Sequence, residues 1–137
     1  MVREAARAKL FGSMRARPVQ LGRYRLLRRL GRGGMGEVML AHDPELDRNV
    51  AIKLLGSGVT GDGQARGRLA REARALARLD HPNVVPIHDA GVVGEQVWLA
   101  MEFIDGGTLR AWLAAHRRTR AAVLEVLRAA GRGLAAA

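Results

Sequence analysis

The chain has 137 residues, of which 48% are hydrophobic and 26% charged; this is enough for one modest domain with a real core and too little for two ordinary ones. It contains no cysteine, which excludes disulfides and thiolate metal sites and fits a reducing, cytoplasmic compartment. No apolar run approaches the about 18 to 20 residues of a membrane span, and residues 1–17 lack the continuous apolar centre of a secretory signal.

A formal net charge of +10 makes nucleic acid or an acidic membrane surface a rival partner. The arginines are scattered through the N-terminal tail, 23–29, 66–78 and 117–120, and they form no block interleaved with aromatics. A solvated basic face accounts for that distribution better than a specific nucleic-acid site. Only two of the 23 basic residues are lysines, Lys9 and Lys53. Retaining a compact ammonium at position 53 in so arginine-rich a chain points to a place that a planar guanidinium cannot fill.

In chain order, residues 1–22 read as a basic, flexible tail, and Pro18 discourages a helix running from it into the first strand. Strands are expected over 24–30, 37–42 and 49–55 as an antiparallel meander. They are separated by the glycine run Gly31-Arg32-Gly33-Gly34-Met35-Gly36 and by the turn signal Asp43-Pro44-Glu45. The glycine-rich 56–63 leads to a helix over 64–79, followed by strands over 85–90 and 96–103. Thr108 is placed to cap a short helix through His116, and Thr119 to cap another running to the chain end.

Gly31, Gly33 and Gly36 match G-x-G-x-x-G, which alone is a weak signal. A dinucleotide fold needs a long helix directly after the glycines, but Pro44 breaks the following segment too early. A Walker-type loop needs Lys after its last Gly, where this chain has Glu37. There remains a hairpin whose tip can lie close over phosphates and present backbone N–H groups, or else a glycine-rich turn with no ligand. Lys53 stands inside the apolar strand Val50-Ala51-Ile52-Lys53-Leu54-Leu55 and needs an anionic partner. Along the 64–79 helix, Ala65, Leu69, Glu72, Leu76 and Leu79 fall on one stripe with Glu72 at its middle, so a Lys53–Glu72 pair is expected. The alternative is a Glu72 at the stripe's edge, bonded to a neighbouring arginine.

From about Leu21 onward these motifs, in this order, resemble the N-terminal part of bacterial eukaryotic-like serine/threonine protein kinases. The resemblance rests on Leu30 to Val38, Val50-Ala51-Ile52-Lys53, Arg71-Glu72-Ala73, Leu79-Asp80-His81-Pro82-Asn83-Val84-Val85, Met101-Glu102-Phe103 and Gly106-Gly107-Thr108-Leu109. It implies an α+β fold: a kinase small lobe over 23–104, with a five-stranded antiparallel sheet plus one main helix, and over 105–137 the first helices of an incomplete large lobe. It also implies that Gly31, Arg32, Gly33, Gly34, Met35, Gly36, Glu37 and Val38 cover ATP. Lys53 would contact the α- and β-phosphates, with Glu72 holding it. Leu30, Val38 and Ala51 would line the adenine pocket with Met101 at the rear, and the Glu102 carbonyl and Ile104 N–H would bond the adenine edge.

The family reaction transfers the γ-phosphoryl group of ATP, with magnesium, to a protein Ser or Thr. The catalytic-loop Asp and Asn and the Asp-Phe-Gly segment are missing from these residues. His81-Pro82-Asn83, His88-Asp89 and Asp105-Gly106-Gly107 do not replace them. The chain is therefore expected to be a fragment that binds nucleotide but is inactive alone, with no metal site of its own. A noncatalytic kinase-like interaction module is the alternative. Met39, where many relatives carry an aromatic residue, is a further departure.

Overall fold

The computed structural model describes residues 19–34, 36–55, 63–94 and 96–137; within these, the side chains at 63, 65, 66, 69, 75 and 76 are not described. Six strands form one antiparallel sheet: β1 (Gln20–Leu21), β2 (Tyr24–Gly33), β3 (Gly36–Asp43), β4 (Arg48–Leu55), β5 (Ile87–Val93) and β6 (Gln96–Glu102), in the spatial order β1-β2-β3-β4-β6-β5. Helix α1 (Gly63–Leu76) lies between β4 and β5 in sequence, and α2 (Leu109–Ala115) and α3 (Arg120–Ala136) follow the sheet. The sheet has one strand more than the expected five, because Leu21 pairs back on Tyr24 and is fully buried. Residues 19–21 thus belong to the sheet rather than to a tail, and residues 1–18 lie outside the described part.

Alternation along the central strands separates two faces. Register pairs Met39 with Ile52 and Ile52 with Ala100; these three, with Ala41, Val50, Leu54, Leu26, Leu21, Tyr24 and Trp98, make the core. Tyr24 meets Trp98 edge-on with ring centroids 5.6 Å apart, the preferred arrangement of two quadrupoles. Trp98 in turn lies flat against Gly91, its register partner on β5: a Cβ built there would stand 2.5 Å from the indole. Gly91→Ala is therefore expected to lower stability by about 1–3 kcal/mol through overpacking, as read from urea unfolding.

The β2 start is pinned to the β3–β4 turn by charge. Asp43 is fully buried, and Arg23 grips it with both Nε and Nη2, at 3.2 and 3.1 Å, while the Glu45 N–H donates to the same carboxylate. Burial by itself would push the Asp43 carboxyl up; the Arg23 hydrogen bonds and the turn N–H groups outweigh it and hold the group below its ordinary 3.8. His88, beside the bulge between Ile87 and Asp89, is held below 6.5 by burial first and by the Arg48 guanidinium second.

Both groups bind fewer protons folded than unfolded, so each contributes stability that is lost on acidification. Stability is expected to fall in two stages, from pH 6.5 downward for His88 and from pH 3.8 downward for Asp43. Arg23→Ala should cost about 2 kcal/mol at neutral pH, and that difference from wild type should begin to shrink as the pH falls below 3.8, in melts carried down to about pH 2.

Both helix caps expected from the sequence form: the Thr108 and Thr119 hydroxyls accept from the Ala111 and Ala122 N–H groups, each at 3.1 Å. Arg118 closes α2 by donating twice to the Trp112 carbonyl while its guanidinium stacks on the Trp112 ring at 4.3 Å. Helix α3 approaches the 81–83 loop through Gly133, where a Cβ would lie 2.5 Å from the Asn83 carbonyl oxygen.

Candidate functional site

The glycine run forms the β2–β3 hairpin. Gly33 pairs with Gly36, whose φ of +130° is a conformation that side-chain-bearing residues rarely adopt. A Cβ at Gly31, Gly33 or Gly34 would meet nothing within 4 Å, so the tip is open on its flanks. Met35 lies outside the described residues. The hairpin continues into β3, and register carries its lower face across the sheet: Val38 is opposite Lys53, and Lys53 opposite Leu99; one step along, Leu40, Ala51 and Met101 are in line. This is the face away from Met39, Ile52 and Ala100, so the sheet's own pleat keeps Lys53 out of the core.

Lys53 is half-buried, as are Val38 and Met101; Ala51 is buried, and Leu30 is 37% exposed at the hairpin's edge. Beyond β6 the chain runs through Phe103 and Ile104 to the Thr108 cap. Glu102 anchors this connection by donating its N–H to the Pro86 carbonyl at 3.0 Å. The Ile104 side chain is 54% exposed, and its N–H makes no hydrogen bond among the described residues. Val38, Lys53 and Leu99, with Leu40, Ala51 and Met101, thus share one face of the sheet.

Two parts of the expected site differ. The Lys53–Glu72 pair is not formed: Glu72 is exposed on α1, and no ion pair joins it to Lys53 or to an arginine among the described residues. Among its described side chains, the helix buries Ala70 and Ala73, a face turned away from Glu72. Of the stripe expected from the sequence, Leu79 is half-buried, and the side chains of Ala65, Leu69 and Leu76 lie outside the described ones. A reading that counted leucines passed over the two buried alanines.

The second difference concerns Arg32 and Glu37. They are register partners, and Glu37 Oε1 stands 3.6 Å from Arg32 Nε and 3.9 Å from Arg29 Nη1. Glu37 is 9% exposed and lies on the Met39 face, opposite Lys53. Only the backbone of these two residues, not their side chains, is presented toward the Lys53 side. The carboxylate ties together the two sides of a hairpin that carries register shifts at Leu26/Arg28 and Arg29/Gly31. Sequence reading missed this tie because both partners fell inside a motif already assigned to a ligand. Glu37→Gln is expected to change global stability by less than about 1 kcal/mol while speeding amide exchange across 29–38 several-fold; hydrogen exchange followed by mass spectrometry reads both.

An antiparallel small lobe with one principal helix, a glycine hairpin over a strand lysine and a short hinge defines a protein kinase fold, and residues 24–135 match the protein kinase domain family. The chain belongs to that family. It is 43% identical over 104 residues to serine/threonine-protein kinase PknJ of Mycobacterium tuberculosis, and 43% identical over 95 residues to serine/threonine-protein kinase PrkC of Bacillus subtilis. These matches cover 76% and 69% of this chain, but 18% and 15% of the relatives. The crystal structure of the M. tuberculosis PknI kinase domain superposes with a TM-score of 0.74 at 32% identity, covering 87% of this chain and 49% of that one. The chain therefore spans about half of a solved kinase domain and less than a fifth of the curated relatives it matches.

Proposed function

We propose that this chain supplies the ATP-binding half of a serine/threonine protein kinase. The observation that carries the reading is Lys53: a half-buried ammonium with no ion pair among the described residues, in register with Val38 directly behind the glycine hairpin. In this reading Lys53 holds α- and β-phosphate oxygens, and backbone N–H groups of 31–36 close over the phosphates from above. Leu30, Val38, Ala51 and Met101 sandwich the adenine, while the Glu102 carbonyl and Ile104 N–H bond its edge.

The apolar slot keeps water from the adenine. The ammonium, a compact charge on a flexible stem, follows the phosphates as they settle. Glu72 has no contact role in the arrangement described, and α1 would have to turn for it to reach Lys53. Among the described residues no group of three or more His, Asp or Glu is placed to hold a metal, so no step is assigned here to magnesium.

Transfer of the γ-phosphoryl group to a protein Ser or Thr is proposed for the polypeptide that brings the base and metal ligands to this nucleotide. A cytoplasmic site of action accords with ATP as substrate and with the absence of cysteine. No helix among the described residues is long and apolar enough to cross a membrane.

Calorimetric titration tests the reading. ATP should bind saturably, and Lys53→Ala should weaken it about tenfold while leaving adenosine binding unchanged, because only the phosphates lose a partner. Equal weakening of ATP and adenosine, or no ATP binding by folded wild type, would remove the proposed site.

A further inference from the structure

We propose that Glu37 is a positioning residue for nucleotide phosphates, acting through Arg29 and Arg32 on the backbone of the glycine hairpin; this rests on the reading that the hairpin covers ATP. The β2–β3 ladder slips twice, between Leu26 and Arg28 and again between Arg29 and Gly31. It then resumes with Gly31 opposite Val38, Arg32 opposite Glu37 and Gly33 opposite Gly36. The tip beyond the second slip has little to hold it. Of residues 31–34 and 36, Arg32 alone bears a side chain, and a Cβ added at Gly31, Gly33 or Gly34 would meet nothing within 4 Å. Glycines also give up more backbone freedom than other residues on taking a fixed pose. A tip of this composition depends on ties made from outside the nucleotide face.

Glu37 makes such a tie across the slip itself. Its Oε1 stands 3.9 Å from Arg29 Nη1 on one side of the register shift and 3.6 Å from Arg32 Nε on the other, so one carboxylate attracts both. The acid is buried, whereas both arginines are exposed. At these separations the attraction is ionic rather than a hydrogen bond, and pairs of this kind contribute little to global stability. The same small contribution is enough to shift a glycine tip poised between open and closed poses several-fold. The pleat puts the carboxylate on the Met39 face, opposite Lys53, so its influence on phosphates passes through the backbone of 31–36.

Charge alone predicts the reverse effect. A carboxylate near a triphosphate repels it, so neutralising Glu37 would tighten ATP binding, and neutralising Arg32 would loosen it. If the pair acts by holding the hairpin, loss of either partner loosens the phosphates, and loss of the second adds nothing to loss of the first. The two mechanisms differ in sign at Glu37.

Calorimetric titration of the full 137-residue chain with ATP and with adenosine separates them, using wild type, Glu37→Gln, Arg32→Gln and the double variant. Each single variant should weaken ATP binding about threefold, and the double variant no more than about threefold. Adenosine, which lacks the phosphates under the tip, should bind all four chains within about 1.5-fold. Glu125→Gln removes a carboxylate from the exposed side of α3 and should not weaken ATP. Hydrogen exchange of the wild-type chain gives a readout independent of the variants, with ATP expected to protect amides in 29–38. Unchanged or tighter ATP binding by Glu37→Gln, an additive double variant, equal weakening of adenosine, or absence of ATP-dependent protection in 29–38 would overturn the positioning role while leaving Lys53-dependent ATP binding in place. No saturable ATP binding by folded wild type would overturn the nucleotide reading and this role with it.

Discussion

The position of Lys53 depends on the register of β4 between β3 and β6. Val38, Lys53 and Leu99 are in line across three strands, while Met39, Ile52 and Ala100 form the next line on the opposite face. Because side chains alternate strictly, a slip of one residue would drive Lys53 into the core and lift Ile52 out of it. The cost of burying the ammonium and exposing the isoleucine acts against that slip from both sides. The core therefore does more than stabilise the sheet. It selects the one register in which the lysine faces the glycine hairpin.

What closes the core also explains which parts of it could be read from the sequence. The strands expected over 37–42, 49–55 and 96–103, the turn at Asp43-Pro44-Glu45 and the Thr108 and Thr119 caps are local signals, and the structure bears them out. The added strand β1 was not legible, since two residues carry no period and their pairing depends on Leu21 reaching a pocket built by distant strands. The same holds for the Arg23 fork on Asp43, twenty residues away. Nothing adjacent to Asp43 in sequence announces that a guanidinium will arrive to offset its burial.

Helix α1 departs from the expected buried stripe at Glu72. Among the described side chains, those that seat it are Ala70 and Ala73, whose individual transfer energies are small. Counting large apolar residues put Glu72 at the centre of the buried stripe; the structure puts it in solvent.

The bias toward arginine then divides into distinct physical uses. Arg23 commits its planar fork to a buried carboxylate, and Arg118 uses the same geometry on a carbonyl while covering an indole. Arg29 and Arg32 converge on Glu37 on the face opposite Lys53, and Arg68, Arg71 and Arg74 on α1 are exposed, without ion pairs among the described residues. None of these settings resembles that of Lys53, half-buried in a strand with no fixed planar acceptor in front of it. A guanidinium at that position would demand a forked partner in one plane and would carry more bulk into the slot between Val38 and Leu99. In the proposed nucleotide site a compact ammonium would accommodate phosphate oxygens from several directions, which accounts for a lysine where the rest of the chain uses arginine.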